Sequence, residues 1–326
     1  MFYKKVLVTG GGGFIGTNFL LYMVPRHPKT VFINLDKLTG AADLGNLKEV
    51  SKRQNYFFVL GDIGSYETVT RIMREGVEAV VNFAAEKYVD KNIDSLNDFI
   101  ATNVTGCFNL LEAAREFKIK KFLQVSTAGV YGSSGSSDGF TELSPLAPDN
   151  PDAAGKAAAD CLVRSYNRTY GLNTNIARTV NNYGFFQQRE EFVPGVIYHA
   201  LREQPVTLSG NGRQTRDWLF VEDHCRALEL ILFKGRRGRV YNISAREEKT
   251  DLELAGSILH ILGKSSALLN LTAGCPGQNR RCVLEDNCIR LELGWQPQSV
   301  LEVALPKTVR WYVQKTPPGS RLKIKK

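Results

Sequence analysis

The chain has 326 residues, of which 43% are hydrophobic, and its formal net charge is +9. This length allows a buried core in one large or two modest domains, whereas no apolar run reaches the roughly 18 residues of a membrane span, and the six cysteines include no C-x-x-C pair. We therefore expect a cytoplasmic protein with reduced thiols, no signal peptide and no metal site, and the positive charge indicates a phosphorylated small molecule as partner rather than a nucleic acid or a membrane.

The first half of the chain alternates between strand-like and helix-like segments. Helices are predicted between the strands, near 14–24, 66–75, 97–117 and 153–170. The predicted strands are 5–9, 31–35, 56–60, 79–83, 121–126 and 173–178. Such alternation is typical of an α/β fold with a Rossmann-like, doubly wound parallel sheet.

The pattern changes after about residue 179. Short strands at 206–209 and 239–243 mix with helices near 190–202, 221–233, 251–262 and 300–314. We interpret residues 1–178 as a coenzyme-binding domain, 179–316 as a smaller α/β substrate lobe, and 317–326 as a basic tail, with approximate boundaries. The substrate is expected in the cleft at the carboxyl ends of the strands.

A glycine-rich turn follows the first predicted strand. Residues 6–16 read VLVTGGGGFIG, which spaces Gly10, Gly13 and Gly16 at three-residue intervals between an apolar strand and an apolar helix. Glycines let the backbone approach a diphosphate closely, and a helix N-terminus offers N–H groups to it. This context predicts a dinucleotide site rather than an ordinary glycine turn.

An acidic residue ends the second predicted strand. Asp36 comes 20 residues after Gly16, where a carboxylate would accept hydrogen bonds from the adenosine ribose and repel a 2′-phosphate. This favours NAD over NADP, although Lys37 could attract a phosphate. The alternative is that Asp36 merely ends a strand.

The chain also resembles a known family. The segments TGGGGFIG, GDI (61–63), NFAAE (82–86), STAGVYG (126–132), NNYG (181–184) and RDWLFVEDH (216–224) occur in the order found in extended short-chain dehydrogenase/reductases. With FTELSPLAP (140–148), they are most similar to the dTDP-glucose 4,6-dehydratases, which act on nucleotide sugars with tightly held NAD.

The resemblance implies contacts to both ligands. Asn103 would steady the active-site strand, and Lys156 would bond the nicotinamide ribose. The implied coenzyme contacts are Gly10, Gly13, Phe14, Ile15 and Gly16 at the diphosphate, Asp36 at the ribose, Asp62 and Ile63 at the adenine, and Ala84 and Ala85 toward the nicotinamide; Lys37 lies next to Asp36 in the chain. The implied substrate contacts are Asn181, Arg216 and Arg280, and the Ser126 hydroxyl is a further candidate to bond a sugar oxygen. For Arg216 the alternative is a salt bridge to Asp217 or Glu222.

Three catalytic positions depart from the family pattern. Asp152 stands where the family has the tyrosine of Y-x-x-x-K, and Ala128 and Gly129 replace the Asp-Glu pair that eliminates water across C5 and C6. An aspartate, with an unperturbed pKa of about 3.9 against about 10 for tyrosine, is a poorer base for a sugar hydroxyl. Ordinary 4,6-dehydration is therefore not expected by the usual route.

Other side chains are candidates for the missing proton transfers. Glu86 and Tyr88 lie at the rim of the cleft, and the Thr127 hydroxyl is placed to bond a sugar oxygen. Tyr131 is either an acid or a packing residue of its VYG stretch. Asp152 is either a base or an ion-pair partner of Lys156.

Two hypotheses follow. The first is an NAD-dependent enzyme that modifies a nucleotide sugar by altered chemistry, namely dehydration elsewhere on the ring, epimerisation or ketone reduction. The second is a catalytically degenerate protein that binds NAD or a nucleotide sugar without classical dehydratase activity. In the resembling family the helices near 97–117 and 153–170 form a dimer interface, so we expect a homodimer.

Overall fold

A seven-stranded parallel sheet forms the centre of the molecule. The computed structural model describes residues 2–40, 42–86, 98–133, 139–272 and 281–316. The strands of this sheet run in the spatial order β10-β6-β5-β4-β1-β2-β3. They are β1 (Lys5–Thr9), β2 (Val31–Asp36), β3 (Tyr56–Leu60), β4 (Ala79–Asn82), β5 (Lys121–Thr127), β6 (Thr174–Thr179) and β10 (Val240–Ile243).

Helices connect and cover these strands. A π-helical turn (Ala101–Gly106) leads directly into α3, where the sequence predicts one continuous helix. The α-helices are α1 (Phe14–Arg26), α2 (Tyr66–Met73), α3 (Cys107–Glu116), α4 (Pro151–Tyr170), α5 (Phe192–Leu201), α6 (Val221–Lys234), α7 (Asp251–Ile261), α8 (Asn287–Leu293) and α9 (Leu301–Lys315). Within the described residues, every helix is too short or too polar to cross a bilayer.

The inner strands are apolar along nearly their whole length because both faces of the sheet are covered. Val6 and Val8 of β1 pack into one core with α1 and α6, whereas Leu7 packs into a second core with α2 and α3. This alternation confirms the parallel α/β sheet predicted from the apolar runs, and all six predicted strands of the first half occur within one or two residues of their predicted bounds.

The second half of the chain builds smaller sheets and then returns to the large one. Three strands not predicted from the sequence, β7 (Asn181–Tyr183), β9 (Thr215–Phe220) and β11 (Glu248–Thr250), form a three-stranded sheet, and β8 (Val206–Ser209) pairs with β12 (Leu269–Thr272). β10 joins the large sheet beside β6, and α6 packs against α1. The second half thus contributes to both cores, and a division at residue 178 stays a prediction.

Candidate functional site

The glycine-rich loop after β1 is closed by contacts that leave no room for side chains. Gly10 has φ +70°, and a Cβ there would lie 2.6 Å from the backbone nitrogen of Ala84. A Cβ on Gly16 would lie 2.3 Å from the carbonyl oxygen of Gly10. Only glycine fits these two positions, because the loop is pressed between the end of β4 and the start of α1.

The N-terminus of α1 faces outward from this loop. Its N-cap is Gly13, which makes no side-chain cap, and the first turn contains no acidic residue. A Cβ on Gly13 would meet only the Gly10 carbonyl oxygen, at 3.4 Å. A helix N-terminus with no side-chain cap and no acidic residue in its own first turn suits a diphosphate, so Gly13, Phe14 and Ile15 fit the role that the sequence predicts for them.

The carboxylate of Asp36 is fixed at the end of β2. One oxygen accepts the amide of Gly12 at 2.8 Å and the other accepts the amide of Leu38 at 2.8 Å, and the residue is 8% exposed. Asn34, two residues earlier, accepts the amide of Gly11 at 3.1 Å. A carboxylate has about four acceptor positions, so Asp36 keeps capacity for two ribose hydroxyls, as NAD requires.

Lys37 is neutralised by neighbouring carboxylates. Its Nζ lies 3.0 Å from Glu86 and 3.6 Å from Asp62, and it donates to the Thr102 hydroxyl at 2.8 Å. Burial lowers the pKa of Lys37, but hydrogen bonding and attraction from Glu86 and Asp62 outweigh burial, and the pKa is raised. A cation held in this way is a poor partner for a 2′-phosphate, which strengthens the argument for NAD.

The remaining predicted coenzyme residues line the same edge of the sheet. Asp62 accepts the amide of Gly64 at 2.7 Å, and the carbonyl of the buried Ile63 accepts the side-chain amide of Asn109 at 3.0 Å. Ala84 lies against Gly10, and Ala85 is exposed just beyond β4. The structure therefore brings the predicted adenine, ribose and diphosphate contacts to one crevice.

A short 3₁₀ turn, Ala128–Tyr131, follows β5 at the same edge. The Thr127 hydroxyl caps it by accepting the amide of Gly129 at 3.2 Å, while Ser126 is buried. A Cβ on Gly129 would lie 3.6 Å from its nearest neighbours, an ordinary contact distance. Packing therefore does not require glycine at 129, and the absence of a side chain there is not imposed by the backbone.

Helix α4 carries Asp152 and Lys156 beside this turn. Asn150 caps the helix by accepting the amide of Ala153 at 2.9 Å, and Asp152 lies 3.7 Å from Lys156 with both side chains partly exposed. Asp152 also has a buried carboxylate oxygen for which the described residues supply no hydrogen-bond partner. The ion pair expected as an alternative thus forms, and it still leaves one carboxylate oxygen unsatisfied.

Contacts along the next turn place α4 against the rim of the cleft. A Cβ on Gly155 would meet the ring of Phe99 at 2.5 Å and the side-chain amide of Asn103 at 3.5 Å. Asn103 in turn accepts the amide of Glu86 and donates to its carbonyl, both at 2.8 Å. Asn103 thus fixes the segment after β4 as the resemblance implies, and it brings Glu86 to the side of the cleft where α4 lies.

Tyr131 points into the core. It is 1% exposed, its hydroxyl donates to Asn242 at 2.8 Å, and it accepts Nη1 of Arg178 at 2.8 Å. Arg178 also forms a fully buried ion pair with Asp160 at 2.8 Å. Burial raises the pKa of Tyr131. These contacts favour the packing alternative for Tyr131 over the catalytic one.

Arg216 and Asn181 lie on the substrate side. Asn181 is exposed at the start of β7, and Arg216 forms a two-pronged salt bridge to Asp251, at 2.9 and 3.3 Å, rather than to Asp217 or Glu222. The sequence did not indicate this partner, because Asp251 is 35 residues away and reaches Arg216 through the antiparallel pairing of β9 with β11. Two other predicted site residues, Tyr88 and Arg280, lie outside the described residues.

Cys282 is a site neighbour that sequence reasoning missed. It pairs with Arg216 in an isolated bridge, and its thiol contacts the carbonyl oxygen of Ala128 at 3.5 Å. Burial raises the pKa of Cys282 to about 11, so the thiol stays protonated. Cys282 therefore joins β9 to the turn after β5 by packing. No local sequence pattern indicates this contact of Cys282. The contact of Asn34 with Gly11 was also missed, although a polar residue inside an apolar strand was a signal available in the sequence.

Comparison with known proteins identifies the family to which this chain belongs. A family model described as GDP-mannose 4,6 dehydratase matches residues 7–308. The dTDP-glucose 4,6-dehydratase of Xanthomonas campestris pv. campestris (strain B100) is 41% identical over 326 aligned positions, which cover 94% of this chain and 92% of that protein. This chain belongs to the GDP-mannose 4,6 dehydratase family.

Solved structures of related proteins share the fold. The dTDP-glucose 4,6-dehydratase of Bacillus anthracis, crystallised in complex with NAD, is 39% identical with a TM-score of 0.89, over 95% of this chain and 96% of that one. The UDP-glucose 4-epimerase of Thermotoga maritima, crystallised with UDP-glucose, is 27% identical with a TM-score of 0.87, over 95% and 99%. The Rossmann-like fold and the predicted resemblance to nucleotide-sugar dehydratases are both confirmed.

Proposed function

We propose that this family member is an NAD-dependent enzyme that modifies a nucleoside-diphosphate sugar. The observation that carries the proposal is the crevice after β1, in which an uncapped helix N-terminus lies beside the fixed carboxylate of Asp36. The names of the related proteins, which include dTDP-glucose dehydratases and a UDP-glucose epimerase, support a nucleotide sugar as the second ligand.

The chemistry is altered from ordinary 4,6-dehydration. Bound NAD would supply a hydride acceptor next to the sugar. Thr127 would orient a sugar hydroxyl, Lys156 would hold the nicotinamide ribose, and Asp152, with its unsatisfied buried oxygen, would accept the hydroxyl proton. Ala128 and Gly129 offer no acid or base for the C5–C6 elimination. The reactions that remain open are epimerisation, ketone reduction, or dehydration served by Glu86 at the rim.

A catalytically degenerate binding protein is the second candidate. The observation that favours it is the 3.7 Å ion pair between Asp152 and Lys156, which gives both residues a structural role at the start of α4. In that case NAD and the nucleotide sugar would bind without conversion.

One experiment tests the ligands and a second separates the two candidates. Denaturing the purified protein and identifying the released nucleotides by mass spectrometry should yield NAD. A panel of nucleotide sugars is then added while absorbance is followed in the reduced-nicotinamide band. Turnover that is lost in Asp152→Ala supports the enzyme. Binding by calorimetry without conversion of any sugar in the panel supports the degenerate protein. The absence of NAD binding would refute the enzyme, and the absence of both NAD and nucleotide-sugar binding would refute the second candidate as well.

We also propose a homodimer formed through α3 and α4. Phe108 and Tyr170, on these neighbouring helices, are 44% and 56% exposed, and apolar side chains on adjacent helices favour self-association. In light scattering, Phe108→Glu should be a monomer, while Phe57→Glu, at a phenylalanine of the edge strand β3 that is 54% exposed, should stay dimeric. A monomeric parent protein would contradict this proposal.

A cytoplasmic location completes the proposal. The cysteines of the described segments are all free thiols, as a reducing compartment would keep them. Fractionation of source cells should recover the protein with cytoplasmic markers.

A further inference from the structure

Asn18 makes a polar contact that crosses from the coenzyme side of the molecule to the substrate side. It lies in α1, one turn after Phe14, and is 6% exposed. Its side-chain amide donates to the carbonyl of Phe14 at 2.9 Å and to the carbonyl of Phe185 at 2.9 Å. One side chain thus joins the first turn of the coenzyme helix to a loop 167 residues further along the chain.

The loop that receives this bond, residues 184–187, follows β7 and therefore lies three residues after Asn181. Other elements hold it as well. The hydroxyl of Tyr312, in α9, contacts the carbonyls of Gly184 at 3.1 Å and Gln187 at 2.8 Å. A Cβ on Gly184 would lie 2.5 Å from a methyl group of Val221. A loop packed this closely cannot absorb a displacement of α1, so it transmits one.

We propose that Asn18 is a positioning residue that couples the binding of NAD to the binding of the nucleotide sugar. The inference rests on the proposed function, in which the coenzyme diphosphate sits at the N-terminus of α1. When the diphosphate fixes the first turn of α1, the amide of Asn18 and the carbonyl of Phe185 are fixed with it. Because the closely packed loop beside Asn181 moves with α1, its position is set before the second ligand arrives, and the two binding events share a coupling free energy.

The test measures a ratio of affinities. Protein freed of bound coenzyme with charcoal is titrated calorimetrically with dTDP, in the absence and in the presence of saturating NAD. We expect NAD to tighten dTDP binding by about 5-fold or more, as is usual for coupled sites. In Asn18→Leu, which keeps the branched shape and the helix but removes the donor, the ratio should fall to about one.

A second variant separates the two bonds of Asn18. In Asn18→Ser the short hydroxyl still reaches the carbonyl of its own helix at Phe14 but not that of Phe185. This ratio should also be about one. The matched control is Asn55→Leu, because the Asn55 amide donates to carbonyls of Val24, His27 and Thr30, at the other end of α1. This control should keep the wild-type ratio.

Several results would overturn the inference. Asn18→Leu with both affinities weakened but the ratio kept would make Asn18 merely structural, and an unchanged ratio in Asn18→Ser would show that the bond to Phe185 is not needed. If Asn18→Leu fails to fold, the serine variant decides. A wild-type protein that binds both ligands without coupling would refute the inference alone. A wild-type protein that binds no NAD, or none of dTDP, UDP and GDP, would refute the proposed function.

Discussion

Two turns at the same edge of the sheet differ in the space around two of their glycines, Gly10 and Gly129. The loop between β1 and α1 is packed so tightly that an added Cβ would lie 2.6 Å from a neighbouring atom at Gly10 and 2.3 Å at Gly16. In the turn after β5 an added Cβ at Gly129 would have ordinary clearance, 3.6 Å from its nearest neighbours, whereas at Gly132, the C-cap of that turn, it would lie 2.1 Å from the carbonyl oxygen of Ala147. The first turn is fixed by backbone contacts, whereas the second depends on side chains for its chemistry.

This difference separates a loop shaped by its backbone from a position at which a side chain could be added or lost. Backbone amides and a close turn hold a diphosphate, and few substitutions preserve them. Acids and bases are side chains that project from the turn, and they can be lost without disturbing the sheet. A chain can therefore keep the glycine-rich loop after β1 while the side chains of the turn after β5 change.

Restoring the proton carriers should have the largest effect. The triple variant Ala128→Asp, Gly129→Glu, Asp152→Tyr should convert dTDP-glucose to a product lighter by one water. The turnover should be at least about 10³-fold above the parent, since each general acid or base contributes about 10²–10⁴-fold. Mass spectrometry of the product checks this, with the same triple change carried on Asp36→Ala as the control. A folded, NAD-loaded triple variant without product would show that the turn is altered in more than these residues.

Replacing Gly10 or Gly129 by alanine tests how closely each glycine is packed. Gly10→Ala adds a clash with Ala84 and places alanine at φ +70°, so we expect a loss of about 2–4 kcal/mol in the free energy of unfolding. Gly129→Ala should stay within about 0.5 kcal/mol of the parent. Urea unfolding of both variants measures the difference. Equal losses would contradict the contrast between the turns.

The two aspartates test which turn governs coenzyme affinity. Asp36→Asn removes the charge that ribose hydroxyls would meet, and hydrogen bonds to charged groups contribute about 1.5–3 kcal/mol, so NAD should bind about 10–100-fold more weakly. Asp152→Asn should change the Kd for NAD by less than about threefold. Calorimetric titration of each variant with NAD measures the Kd. A larger loss of affinity in Asp152→Asn than in Asp36→Asn would contradict the placement of the coenzyme beside Asp36.

The buried His224 should make the stability of the protein depend on pH. Burial lowers the pKa of His224, in α6, from 6.5 to about 3. Between pH 6.5 and about pH 3 the imidazole binds a proton in the unfolded chain but not in the folded one. The free energy of unfolding is therefore highest above pH 6.5 and falls by about 1.4 kcal/mol for each pH unit of acidification below it.

The variant His224→Leu should remove this slope while leaving NAD affinity at pH 7 unchanged. Between pH 7 and pH 5 the parent should lose about 2 kcal/mol more than the variant in urea unfolding. If the parent and the variant lose equal free energy of unfolding between pH 7 and pH 5, His224 is not the group responsible for the pH dependence. A change in NAD affinity at pH 7 would mean that the packing of α6 also affects the glycine-rich loop after β1.

The sequence by itself determined the large sheet and the coenzyme crevice. The apolar runs of β1 to β6 could be recognised because parallel strands covered on both faces are apolar throughout, and the spacing of Gly10, Gly13 and Gly16 is a local pattern with a local cause. Asp36 could be placed for the same reason, since it ends a strand at a fixed distance from that turn.

Only the tertiary structure decided which distant groups meet. It placed β10 in the large sheet, paired Arg216 with Asp251, buried the Tyr131 hydroxyl against Arg178 and Asn242, and joined Asn18 to Phe185. These contacts span 35 to 167 residues of chain or depend on the return of the second half to the sheet. Periodicity and spacing describe neighbours along the chain, and they contain no information on which side chain arrives from elsewhere to complete a bond.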